Sequence, residues 1–335
     1  MLGVTLRENN LSSVFYMALM ICVTLSGACA DETNDATNAE DSMSERGAVD
    51  ISDAVFTRRD QACSAYVGVY TSSVIDESRM MTFAGTLTIT ADENTCTLTS
   101  NSIPNHSFNG QGRFATPTAE VNETFQVTSA PVMAASATSL SLEIDNAVML
   151  NGVKLDLLAA ACYGVGNEPL GQEKIGCGMT NTPWRYDPMF SGNNFGTDGH
   201  NAHTQPDGAY HYHGDPQAMY DATGMSASGV IGFAADGYPI YGPFIDDNGS
   251  IRRVTSSYQL KAGMRESQTG EGALPEGTHD GTYIDDYDYE AGSGDLDECN
   301  GMMYDGAYGY YVTDTYPWVL KCFKGTPDPS FNKRQ

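Results

Sequence analysis

Six histidines stand in the 335 residues, and four of them fall within 14 positions, in Asp198-Gly199-His200-Asn201-Ala202-His203 and Tyr210-His211-Tyr212-His213. On a β-strand, residues two apart share a face, with Cβ atoms about 7 Å apart. His211 and His213 can therefore grip one metal ion while Tyr210 and Tyr212 point to the other face. The Asp207-Gly208 turn lets the upstream segment fold back on that strand, which offers His203 and His200 as further ligands. Neutral imidazole suits copper or zinc, and its grip weakens as pH falls towards about 6.5. The plain alternative is a set of hydrogen-bonding histidines at a β-turn, which four clustered imidazoles argue against.

The elements that must hold these side chains read as strands. Thr86-Leu87-Thr88-Ile89-Thr90 and Ser139-Leu140-Ser141-Leu142-Glu143-Ile144 alternate, and Thr124–Thr128, Ala147–Leu150 and Val153–Leu155 continue the pattern. Helical periodicity is scarce, and Asp-Gly or Asn-Gly turns recur at 198, 207, 236, 248 and 305. The expected fold is mainly β: one β-rich, disulfide-stapled domain over residues 54–335, with two sub-lobes as an option. Asp207-Gly208-Ala209-Tyr210-His211-Tyr212-His213 is echoed by Asp305-Gly306-Ala307-Tyr308-Gly309-Tyr310-Tyr311, and the two differences are the two histidines. Either these are related hairpins or a Tyr-rich strand has followed an Asp-Gly turn twice by chance.

Residues 14–25 form an uncharged apolar run of 12, too short for a membrane span of about 20 and of the length of a signal-peptide core. Residues 1–30 are thus expected to be a signal peptide. Ala28 and Ala30 fit simple cleavage, and Ser26-Gly27-Ala28-Cys29 resembles a lipobox that would anchor the chain by lipid at Cys29. Residues 31–53, with eight acidic side chains against Arg46, read as a disordered tether. The expected location is exported: periplasmic, cell-surface or extracellular, with no transmembrane span in the mature chain. Removing residues 1–30 leaves six cysteines, expected to pair in order as 63–96, 162–177 and 299–322. A net charge of −26 argues against nucleic acid as a partner.

The remaining polar clusters carry less. Asp285–Glu290 with Asp295, Asp297 and Glu298 could offer oxygen ligands to calcium but reads better as a solvated acidic face. Asp246-Asp247-Asn248-Gly249 lacks the rest of an EF-hand loop and reads as a turn. No G-x-S-x-G, P-loop or dinucleotide motif occurs, so no catalytic residue is identified.

Beyond the tetrapeptide, further blocks stand in order: Ser100-Asn101-Ser102-Ile103-Pro104-Asn105-His106, Asn151-Gly152-Val153, Asp236-Gly237-Tyr238-Pro239-Ile240-Tyr241-Gly242, Asp297-Glu298-Cys299-Asn300-Gly301 and Tyr316-Pro317-Trp318. Together they resemble the YHYH-domain proteins, a family of exported proteins without an established activity. The resemblance adds His106 as a fifth imidazole candidate. The leading expectation is a domain that binds copper or zinc through His211 and His213 with His203, His200 and His106. The alternatives are a metal-dependent extracytoplasmic enzyme, or a cell-surface module whose Tyr and His face recognises glycan or protein without metal.

Overall fold

The computed structural model describes residues 4–5, 47–110, 113–166, 176–178, 182–193, 195–270 and 273–333. The expected signal peptide core, the Cys29 lipobox and most of the tether lie outside the described residues. Among those described, helix is confined to short 3₁₀ turns, the longest being Cys63–Tyr66. None is long and apolar enough to cross a membrane.

Two sheets carry the domain. The first runs in the order β1 (Val49–Asp50), β2 (Gly68–Asp76), β3 (Met81–Ala91), β4 (Thr95–Ser100) and β5 (Glu123–Thr128). Their alternation follows the Thr/apolar pattern: Leu87, Ile89, Leu98 and Val127 turn inward and the threonines between them turn outward or to the margin. β1 pairs parallel with Tyr70–Thr71 and Ile51 is buried, so residues 49–51 pack with the first sheet.

The second sheet contains β6 (Ala147–Met149), β7 (Lys154–Leu155), β8 (Ala202–Thr204), β9 (Tyr210–Tyr212), β10 (Val230–Ala234), β11 (Pro239–Tyr241), β12 (Gly301–Tyr304) and β13 (Ala307–Tyr311). Its order is β8-β9-β7-β6-β10-β11-β13-β12. From either edge inward the relations are the same: antiparallel, parallel, antiparallel. The halves meet at the antiparallel β6–β10 pair, where Val148 faces Phe233. Leu87, Leu98 and Val127 of the first sheet share one core with Leu150, Tyr210, Tyr212 and Tyr310 of the second.

The symmetry extends to individual hydrogen bonds. Gly152 N–H donates to Met149 O at 2.8 Å, and Gly237 N–H to Ala234 O at 2.9 Å, with φ of 85° and 87° at the two glycines. Asp198 Oδ1 accepts from the backbone of His200 and Ala202, and Asp297 Oδ1 accepts from that of Cys299 and Gly301. Asn201 and Asn300 both take positive φ in these turns, at 61° and 66°. Asn151 Nδ2 donates to the Tyr212 hydroxyl, and the Tyr310 hydroxyl donates to Asp236 Oδ2. The second sheet is therefore two copies of one four-strand unit. The Asp207–His213 and Asp305–Tyr311 hairpins are equivalent strands of that unit.

Two expectations need correction. Of the alternating stretch from Ser139 to Ile144 only Ser139 is strand, at the end of Thr138–Ser139, because the chain turns at Leu142-Glu143 and brings Ile144 to a bridge with Asn332. The acidic stretch is not a solvated face throughout: Asp286 is buried against Arg265, and Asp285 accepts the Trp184 and Arg185 amides. The Asn248-Gly249 turn closes the hairpin Phe244–Asp247 with Ser250–Arg253.

Disulfides join Cys63–Cys96, Cys162–Cys177 and Cys299–Cys322, the sequential pattern. Cys63–Cys96 closes 33 residues around the first sheet, so Cys63→Ala/Cys96→Ala is expected to lose about 3 kcal/mol or more of unfolding free energy. Urea titration at fixed m-value measures this; an unchanged midpoint would contradict it.

Candidate metal centre

The strand β9 turns its side chains alternately, and the structure shows where each set goes. Tyr210 and Tyr212 are wholly buried in the core between the sheets. Tyr210 donates to Asp198 Oδ2 at 2.7 Å, and the Tyr212 hydroxyl meets His106 Nε2 at 2.6 Å. His211 and His213 face the opposite side. His203 lies directly across the β8–β9 ladder from His211, so it shares that face. Lys154 is the parallel partner of His211 from β7, which places Asp156, two residues on, beside His213.

Three imidazoles converge there. His211 Nε2 is 3.1 Å from His213 Nε2, which is 3.0 Å from His203 Nε2. Imidazole nitrogens around a tetrahedral zinc at ordinary bond length stand roughly 3.3 Å apart, close to this spacing. Hydrogen bonding alone does not account for the cluster. A ring nitrogen has either one hydrogen or one lone pair, yet His213 Nε2 faces two others. One cation would satisfy all three lone pairs.

The outer nitrogens favour the same reading. His203 Nδ1 lies 2.5 Å from the Phe195 carbonyl and His211 Nδ1 3.5 Å from that of Ala209. A hydrogen on Nδ1 donates to each carbonyl and leaves Nε2 with its lone pair, the arrangement usual for metal-bound histidine. His213 Nδ1 faces the Asp156 main chain without a full hydrogen bond. Burial holds His211, His213 and His203 below the usual imidazole range, and the neighbouring histidines add to this for the first two. The trio is therefore neutral, which is the ligating form.

His200 and His106 do not join the trio. Their rings pack against each other at a tilt of 37° with centroids 3.9 Å apart, on the Tyr side of β9. His106 is committed at both nitrogens, to the Ser107 carbonyl and the Tyr212 hydroxyl. His200 belongs to the Asp198–Asn201 turn, three residues before His203 and out of register with β9. Among the described residues, the group able to hold a metal is His203, His211 and His213.

The trio opens on a cleft of about 360 Å³, walled by Leu142, Leu158, Ala159–Ala161, Phe195 and Pro206. Among the described residues, its charged lining residues are Asp156 and Lys333. Asp156 Oδ2 accepts from Lys333 Nζ, and Gln205 Nε2 lies 3.5 Å from the same oxygen. Sequence reasoning missed both residues. Their only signal was the placement of Asp156 one strand away in phase with His211.

The second copy of the unit shows which positions are special. Gly309 and Tyr311 replace His211 and His213, Met302 replaces His203 across the ladder, and Tyr241 replaces Asp156. Tyr241 and Tyr311 stack there, with centroids 5.1 Å apart, under the Arg59 guanidinium. A Cβ on Gly309 would fall 2.5 Å from the Tyr241 ring, so glycine makes room for that filling. The shared residues hold turns and strands; the residues that differ line the trio and its cleft.

The family model described as YHYH protein matches residues 124–325. The chain belongs to the YHYH protein family. That match takes in both copies of the four-strand unit and leaves β1–β4 and His106 outside. In this YHYH protein the motif's tyrosines are core residues of the first copy, and its histidines belong to the group that could hold a metal ion. No curated protein and no solved structure matches the chain.

Proposed function

We propose that the domain binds one transition-metal ion, copper or zinc, through Nε2 of His203, His211 and His213. The observation that carries this is the central position of His213 Nε2, 3.0 and 3.1 Å from two nitrogens it cannot both bond. Imidazole is a good ligand for either metal. Metal analysis of the natively exported protein tests it. One equivalent of metal is expected in the wild type and none in His211→Ala/His213→Ala; substoichiometric metal unchanged in the double variant would overturn it.

A metal-dependent enzyme is the second reading, favoured by the cleft. Three protein ligands that leave room for an outside ligand are the pattern of catalytic sites, whereas structural zinc is enclosed by four. A metal held here would supply Lewis acidity or, if copper, redox chemistry. The glycan or protein-binding reading loses its platform, because Tyr210 and Tyr212 face the core.

The reading extends to location. Three disulfides suit an oxidising compartment, in keeping with export by the N-terminal signal and either simple secretion or a lipid at Cys29. Mass spectrometry of the mature N-terminus separates these: acylated Cys29 marks the anchor, and a free Asp31 marks secretion.

A further inference from the structure

We infer that the cleft beside the histidine trio is a binding site for a small organic anion, a carboxylate head on an apolar body. This rests on the proposed metal.

The cleft belongs to the site rather than to the fold. The equivalent space in the second copy is filled by the stacked Tyr241 and Tyr311, so the same strands accept a closed version. In the first copy, Asp156 and the histidines leave about 360 Å³, within the range of small-ligand pockets. Its walls of leucine, alanine, phenylalanine and proline suit an apolar body.

The head is chosen by charge. Three neutral imidazoles contribute none, and Asp156 and Lys333 cancel in pairing. A divalent ion on the trio then leaves the cleft strongly positive, and a carboxylate is the small head that answers it. Lys333 has three donors, of which Asp156 takes one, so it can also bind an oxygen of the ligand. On its far side Lys333 lies 3.7 Å from Asp145. That carboxyl also lies 3.7 Å from Lys154, which is paired with Glu123. Burial pushes Asp145 up to about 7, so it offsets Lys333 only in part. The −26 of the whole chain acts from the surface and is screened over about 8 Å at physiological salt.

The test titrates the zinc-loaded full chain with benzoate and with benzamide, which has the same ring and no charge, by calorimetry, with zinc content measured in every sample. Benzoate is expected to bind at least about tenfold tighter than benzamide, and to lose about tenfold on zinc removal. Lys333→Met should weaken benzoate by about tenfold and benzamide by less, whereas Asp156→Asn should strengthen benzoate. Opposite shifts from two paired residues are not produced by general loss of structure. Equal binding of the two probes, no binding of either, or benzoate affinity indifferent to zinc or to Lys333→Met would overturn the inference. If zinc is bound and benzoate fails, this inference alone falls; if zinc does not bind, the metal reading falls and takes this with it.

Discussion

Replacing His213 with alanine is expected to weaken zinc binding by about a hundredfold or more, while His106→Gln and His200→Gln change it by less than about threefold. The magnitude follows from structural zinc sites, where four ligands share about 10–16 kcal/mol, roughly 3 kcal/mol each, and every 1.4 kcal/mol is a factor of ten. The ranking follows from position. His213 Nε2 is the shared neighbour of the other two nitrogens, whereas His106 spends both of its own on Ser107 and Tyr212. Competition against a chromophoric chelator measures all three variants. A loss in His106→Gln or His200→Gln as large as in His213→Ala would move the site to the other face of β9. The pH dependence has a definite sign. Because burial lowers all three pKa values, zinc displaces fewer protons from the trio at pH 6.5 than from exposed histidines, which are half protonated there. Affinity should therefore fall less between pH 7.5 and 6.5 than it would at a site of exposed histidines.

Which parts of this site were legible in the sequence follows from the range over which each residue acts. Alternation on a strand is local, so the shared face of His211 and His213, and the opposite face of Tyr210 and Tyr212, could be read directly. The return of residues 202–204 onto β9 is a hairpin, and Asp207-Gly208 marks it. Which upstream histidine would face the pair depended on register. His203 sits opposite His211, and the Asp198–Asn201 turn carries His200 off to His106. A one-residue slip in pairing would have exchanged faces. Asp156 and Lys333 were beyond reach, since a parallel strand and a C-terminal segment bring them in from far along the chain.

The duplication was half visible for a similar reason. Asn151-Gly152 and Asp236-Gly237 stand 85 residues apart, Tyr210 and Tyr308 stand 98 apart, and Asp198 and Asp297 stand 99 apart. No single period links the copies, because the crossovers between β7 and β8 and between β11 and β12 differ in length. Only the hairpin with nearly unchanged residues, Asp-Gly-Ala-Tyr, survived as a repeat in the letters. The hydrogen bonds preserve what the spacing lost. They also explain why the motif reads Tyr-His-Tyr-His: the tyrosines are common to both copies and hold the core, and the histidines are what the first copy adds.

Below pH 6.5 the metal-free protein is expected to lose stability relative to His106→Gln, on the order of 3 kcal/mol between pH 7 and pH 4. Burial, with the neighbouring His200 adding to it, lowers His106 to about 3. The unfolded chain takes up the proton near 6.5, whereas the native state refuses it until about pH 3. The contribution of His106 is thus fully present above 6.5 and is lost as pH falls. The hydrogen bond acts in the same sense as burial: Nε2 accepts the Tyr212 hydroxyl, and a protonated ring has no lone pair to do so. Glutamine keeps an acceptor oxygen and does not titrate. The comparison must be made as a difference between the two proteins, because buried carboxyls, Asp198, Asp236 and Asp285 among them, act in the opposite sense. Burial raises Asp145 to about 7 and Asp187 and Asp215 to about 6. The native state therefore binds their protons before the unfolded state does, and acid strengthens that part of the balance down to about pH 4. Urea unfolding of both proteins across this range separates the two senses. Parallel stability curves would mean that His106 accepts a proton in the folded protein and that its bond to Tyr212 does not hold it neutral.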